Sequence, residues 1–242
     1  MSEKIALITG ANKGLGFEAA HQLAKTGVHV IIGSRDRNKG ISAALKIQAE
    51  GLSAEVLPLD VTSSSSIADA AREVEKKHGR LDILINNAGV LLDDPTIKPS
   101  QQKLETWRKT FDSNVFGLVE TTLAFLPLLH KSKAGRIVNL SSILGSNTLH
   151  QDPASPIYEF KIPAYNVSKS AVNAWTVHLA HELKDSKIKV NAAHPGHVKT
   201  EMGGAGASME IVDGAKTSVQ LALLADDGPN GAFVHLGEAL PW

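Results

Sequence analysis

The stretch Ile5-Ala6-Leu7-Ile8-Thr9-Gly10-Ala11-Asn12-Lys13-Gly14-Leu15-Gly16-Phe17-Glu18-Ala19-Ala20 decides how this chain is read. A short apolar run stops at Thr9-Gly10, glycines stand at positions 10, 14 and 16, and a helical pattern starts directly after them. A strand that turns through glycines into a helix lets the backbone approach a pyrophosphate, and the helix N-terminus presents free N–H groups and a positive dipole end. The segment reads as a dinucleotide cradle, with Gly10, Asn12, Lys13, Gly14, Leu15 and Gly16 as candidate contacts. Its spacing is G-x-x-x-G-x-G, whereas the common fingerprint is G-x-G-x-x-G. Taken alone, it leaves open that the glycines serve only a tight turn and close helix packing.

Outward from this turn, β-branched runs recur at Ile5–Thr9, Val28–Ile32, Ala54–Leu57, Ile83–Ile85, Arg136–Leu140, Lys187–Ala192 and Ala232–His235. Between them lie Leu15–Lys25, Lys39–Glu50, Ser64–His78, Gln101–His130, Ala164–Lys184 and Ile211–Leu224, most with apolar residues at helical spacing. This alternation predicts an α/β fold of Rossmann type: a doubly wound, mainly parallel, seven-stranded sheet with helices on both faces. Runs such as Val30-Ile31-Ile32 and Ile83-Leu84-Ile85 suit strands buried on both sides. No repeat or linker interrupts the pattern, and Thr62–Ser66 reads as a helix start, so residues 1–242 form one domain.

Composition narrows the function. The chain is 43% hydrophobic and 21% charged, the mix of a globular protein. Its 25 basic and 25 acidic residues give no net charge, so it lacks the basic excess that nucleic acid or an anionic membrane surface would call for. The absence of cysteine excludes disulfides, thiol catalysis and thiolate-ligated metal. The apolar run at Ile5–Ile8 is too short for a signal-peptide core, and Gly117–Leu129, broken by Glu120 and Pro127, falls short of the ~20 residues that span a bilayer. A cytoplasmic protein is expected. Of the 10 histidines, His178 and His181 lie three apart without completing His-Glu-x-x-His, so no metal site is predicted.

The second strand ends Ile32-Gly33-Ser34-Arg35-Asp36, where an acidic residue would bind the ribose 2′-hydroxyl of NAD. Arg35 stands there, and its guanidinium suits a 2′-phosphate, with Lys13 as a second charge. NADP(H) is therefore preferred. If Asp36 faces the ribose instead, the preference tilts to NAD(H).

Tyr165 and Lys169 are four apart, so on a helix they share one face. A phenol with a pKa near 10 needs a neighbouring cation to exchange protons well at neutral pH, and Lys169 supplies one. The other tyrosine, Tyr158, has Lys161 only three residues on and Pro163 soon after, which disfavours a helix through that pair.

With these motifs in order along nearly the whole chain, the sequence resembles the short-chain dehydrogenase/reductase family, and its carbonyl-reductase-like branch in particular. Thr9-Gly10-x-x-x-Gly14-x-Gly16 resembles the family's cofactor signature, Asn86-Asn87-Ala88-Gly89 the motif closing its fourth strand, and Pro195-Gly196 its sixth-strand turn. Asn114, Ser142, Tyr165 and Lys169 resemble its catalytic set. The resemblance implies Tyr165 as general acid/base and Ser142 as the group polarising the substrate oxygen, with Ser141 its structural neighbour. It implies that Lys169 holds the nicotinamide ribose and tunes Tyr165, and that Asn114 holds a water linking Lys169 to solvent. Asp60 and Val61 would meet the adenine, Asn87, Ala88 and Gly89 would line the cofactor, and Val198 and Thr200 would approach the nicotinamide. The expected activity is hydride transfer between NADP(H) and a carbonyl or alcohol.

Twenty-three positions separate Ser142 from Tyr165, and the insertion at about 148–162 is expected to form a substrate wall opposite a glycine-rich loop at about 200–212. The segments 101–130 and 164–184 resemble helices by which relatives form dimers and tetramers, so a homo-oligomer is expected unless the insertion obstructs that surface and leaves a monomer. The alternative function is a non-catalytic NADP-sensing protein, which would keep the glycine turn but could dispense with Tyr165 and Lys169.

Overall fold

In the computed structural model, which describes residues 3–242, eight strands form one sheet. The strands are β1 (Ile5–Thr9), β2 (His29–Ser34), β3 (Ala54–Pro58), β4 (Ile83–Asn86), β5 (Arg136–Leu140), β6 (Lys189–Ala193), β7 (Phe233–His235) and β8 (Glu238–Ala239). Their order is β3-β2-β1-β4-β5-β6-β7-β8. The first seven are parallel, and β8 folds back antiparallel on β7. The expected count of seven is thus corrected to eight. The extra strand has only two exposed residues beyond the turn at Leu236 and Gly237, too short a run for any period to reveal.

The helices are α1 (Gly14–Lys25), α2 (Arg37–Gln48), α3 (Ser64–His78), α4 (Leu104–Phe111), α5 (Gly117–His130), α6 (Asn147–Gln151), α7 (Pro163–Glu182) and α8 (Ile211–Ala222). Residues alternate across the pleat, so each strand feeds two cores. Ile8, Ile32 and Ile85 join Ala20 and Leu23 of α1 and Leu221 of α8 on one face. Leu7, Ile31 and Leu84 join Val74 of α3, Phe125 of α5 and Leu179 of α7 on the other. Both faces are buried, which is why the strand sequences read as continuous apolar runs.

Ser63 caps α3 by accepting the Ser66 N–H, the role read for the serine patch. The segment 101–130, read as one helical pattern, is divided: α4 passes through a π-helical turn at Asp112–Phe116 into α5. Among the described residues no helix is long and apolar enough to cross a membrane.

Candidate active site

The sheet reverses its winding between β1 and β4, and a crevice opens beyond the carboxyl ends of strands at such a switch point. The glycine turn fills the β1 side. Gly10 has φ +63°, a left-handed conformation that side chains disfavour. At Gly16 a Cβ would lie 2.4 Å from Asn87 Nδ2 and 2.9 Å from the Gly10 carbonyl, so only glycine lets α1 start this close to β4. The contact is fastened by hydrogen bonds: Thr9 Oγ1 accepts the N–H groups of Asn87 and Ala88 at 3.0 and 2.9 Å, and Asn87 Nδ2 donates to the Thr9 carbonyl at 2.8 Å. Asn87, read from the resemblance as a cofactor-lining residue, thus spends its amide on the turn itself. Lys13 at the start of α1 makes no side-chain cap, so no capping side chain there takes up the first N–H groups of that helix.

Beside the turn lies a cleft of about 400 Å³ lined by Asn12, Lys13, Lys39, Ser42 and Lys46. Asp36 is the N-cap of α2: its carboxylate accepts the Lys39 N–H at 3.1 Å and lies 3.7 Å from the Lys39 ammonium. Arg35 is exposed beside Asp60. Burial would raise the Asp60 carboxyl, but hydrogen bonds from Thr62 and the Arg35 charge hold it below its ordinary value. Val61 lies against α5, where a Cβ on Gly117 would come within 2.3 Å of its carbonyl oxygen. Lys13, read as a phosphate ligand, also forms an ion pair with Glu201 on the facing loop. Lys39, Ser42 and Lys46 were missed by the sequence reading. Their spacing of three and four along α2 was the available signal, but only the packing of α2 beside the turn gives that face a partner.

Ser142, Tyr165 and Lys169 meet at the end of β5. The Ser142 hydroxyl lies beside the buried Tyr165 phenol, close enough to favour its ionised form. Lys169 lies with Nζ 5.5 Å from the centre of the Tyr165 ring and donates to the Leu140 carbonyl at 2.7 Å. Burial pushes the phenol up to about 12, only partly offset by Ser142, and pushes the Lys169 ammonium down to about 8. Desolvation sets the direction of the phenol's shift, with Ser142 as the opposing influence. Ser141 points elsewhere, donating to Asn173 Oδ1 at 2.6 Å. Tyr158 lies outside any helix in the insertion, with the Lys161 ammonium 4.8 Å from its ring centre.

Asn114 sits in the π-helical turn, a feature that often marks functional sites. Its amide accepts the Val90 N–H at 2.7 Å and donates to the Val90 carbonyl at 2.9 Å and to Ser168 Oγ at 3.0 Å. A Cβ on Gly89 would lie 3.2 Å from Asn114 Oδ1 and 3.8 Å from Lys169 Nζ, so this glycine lies between the two. On the far side, the loop after β6 closes over the turn. Thr200 Cγ2 would be 3.8 Å from a Cβ on Gly14, Val198 is buried and pairs with Met209, and Pro195-Gly196 starts the loop. The expected loop at 200–212 ends where α8 begins at Ile211, and the expected insertion contains α6 followed by turns.

Two supporting residues escaped sequence reading. Asp93 is buried, and its carboxylate accepts the N–H groups of Ala164 at 2.8 Å and Tyr165 at 3.0 Å. It caps α7 from 71 and 72 residues away, where the local N-cap, Ile162, has no side chain able to do so. His194 is buried, which pushes its imidazole down to about 3, so it is neutral at physiological pH. Its Nδ1 accepts the N–H groups of Ile143 at 3.2 Å and Gly196 at 3.4 Å, tying the residue after Ser142 to the loop after β6.

Against known proteins, the profile described as short chain dehydrogenase matches residues 4–210. The chain is 38% identical over 229 residues to short-chain dehydrogenase anuI of Penicillium roqueforti, covering 92% of this chain and 89% of that protein. It is 33% identical over 279 residues to carbonyl reductase [NADPH] 1 of Mus musculus, covering 100% and 99%. Salutaridine reductase from Papaver somniferum superposes with a TM-score of 0.81 at 28% identity, covering 96% of this chain and 99% of that one. The chain belongs to the short-chain dehydrogenase family.

Proposed function

We propose that this protein is an NADP(H)-dependent oxidoreductase that reduces a small carbonyl compound or oxidises the matching alcohol, with Tyr165 as the general acid/base. One observation carries the reading: the Tyr165 phenol and Ser142 hydroxyl come together beside Lys169, at the same end of the sheet as the glycine turn. NADPH, when bound, supplies the hydride. The residues fit such a dinucleotide, since Gly16 lets α1 start close against the turn and that helix has no side-chain cap on its first N–H groups. Lys13, Lys39, Ser42 and Lys46 would take the 2′-phosphate, with Arg35 nearby, and the engagement of Asp36 in its helix cap supports this preference over NAD. The name of the mouse relative, a carbonyl reductase that uses NADPH, points the same way.

As negative charge grows on a substrate oxygen, the two hydroxyls donate to it in a water-poor site where such bonds count most. Burial favours the protonated phenol, the form that donates a proton in reduction. Lys169 would hold the nicotinamide ribose, and Asn114 beside Gly89 would hold the water that links it to solvent. The insertion at 148–162 and the loop at 200–212 would wall the substrate. The test is loss of NADPH absorbance with a panel of ketones, aldehydes and quinones. Tyr165→Phe is expected to bind NADPH and turn over nothing, and Tyr158→Phe to keep activity. Turnover by Tyr165→Phe, or no nucleotide binding by the native protein, overturns the proposal.

A further inference from the structure

Three ligating side chains meet at the opposite end of the sheet from the glycine turn. His29 opens β2, Glu55 is the second residue of β3, and His78 ends α3 just before Gly79 turns the chain away. One atom of each lies within 4.8 Å of the others. His78 Nε2 is 2.7 Å and His29 Nε2 3.5 Å from the same oxygen, Glu55 Oε1. The imidazole centres are 5.2 Å apart, and both side chains are mostly covered.

An ion-pair network accounts for only part of this arrangement. Lys77 bonds the other carboxylate oxygen, Oε2, and leaves Oε1 to the imidazoles. The unexplained atom is His29 Nε2, which is buried and has no hydrogen-bond partner. Its Nδ1 lies 2.7 Å from Ser53 Oγ. With Nδ1–H donating to that hydroxyl, the Nε2 lone pair faces Glu55 and His78, the orientation that a hydrogen-bonded metal ligand takes.

We propose that His29, Glu55 and His78 form a binding site for a divalent transition metal, best suited to zinc. Two imidazole nitrogens and one carboxylate oxygen match zinc's preferences and leave a fourth position for water, whereas magnesium and calcium call for oxygens alone. Bonds of about 2.0–2.2 Å in a tetrahedron set ligand atoms roughly 3.3–3.5 Å apart, so His78 and Glu55 need to separate by less than about 1 Å. On binding, the proton that His78 shares with Glu55 leaves Nε2 for Nδ1 or solvent, and Lys77 keeps Oε2. Because β3 is the edge strand, the metal would clasp it to β2 and α3.

The test is calorimetric titration of the full-length, tag-free, chelator-treated protein with zinc, and with cobalt followed by visible absorption. One saturable equivalent is expected, with a melting temperature about 5–10 °C higher at zinc about 100-fold above Kd. His29→Asn and His78→Asn should each abolish binding, and Ser53→Ala, which keeps every ligand, should weaken it about 10–100-fold. No saturable equivalent, or undiminished affinity in the double histidine variant, overturns the proposal. Should a histidine variant misfold, zinc protection of His29 and His78 from diethyl pyrocarbonate, mapped by mass spectrometry on the native protein, decides the same question: absence of protection refutes the site.

Discussion

Replacing Lys169 with methionine should stabilise the protein while abolishing its chemistry. The side chain is buried, and its ammonium falls from 10.5 to about 8, which corresponds to about 3 kcal/mol against the charged form at 1.36 kcal/mol per unit. Below pH 8 both folded and unfolded chains carry that proton, so the full cost is present at pH 7. Between about 8 and 10.5 the folded chain sheds it while the unfolded chain keeps it, and stability rises with pH. Methionine fills a similar volume without charge but leaves the Leu140 carbonyl without its donor, a loss of about 1–2 kcal/mol. The net gain at pH 7 is about 1–2 kcal/mol, or about 2–8 °C in melting temperature. The assay is urea unfolding followed by circular dichroism at pH 7 and 9.5, at one protein concentration. The native chain should gain about 2 kcal/mol over that interval from this group, and the Lys169→Met chain should lack the gain. A pH-dependent rise that persists unchanged in the variant, or a variant less stable than the native chain at pH 7, refutes the reasoning.

Other outcomes follow from the same geometry. Asp93→Ala should destabilise by about 2–4 kcal/mol, since it strips two charge-assisted bonds from the start of α7, and should lower kcat more than it raises KM; Asp93→Asn, which keeps one acceptor, should recover part of both. His194→Asn, whose amide oxygen can take the place of Nδ1, should keep most turnover, and His194→Ala should lose it as Ser142 and the loop after β6 drift apart. Ser142→Ala should cost kcat about 10²–10³-fold, whereas Ser141→Ala should act chiefly on stability, measured by steady-state kinetics and thermal melts. Lys39→Ala should weaken NADPH binding about tenfold and leave NADH binding unchanged in a fluorescence titration.

What could be read without coordinates was whatever depends on near neighbours in the chain. Strand and helix alternation is set by local period, a glycine turn by backbone freedom within a few residues, and the pairing of Tyr165 with Lys169 by four-residue helical spacing. The resemblance added Asn114 and Ser142, residues that no local period marks. The tertiary structure decided what depends on distance across the fold and on burial. Asp93 reaches α7 from beyond α4 and α5, and His194 bridges two loops. Lys39 and Lys46 gain a cleft only because α2 packs beside the glycine turn, and Lys13 finds Glu201 across 188 positions. Burial raises the Tyr165 phenol, a consequence of removed water that only the packed structure supplies. His29, Glu55 and His78 likewise form a cluster only because parallel strands and a returning helix bring their ends to one edge, a neighbourhood that no window of sequence contains.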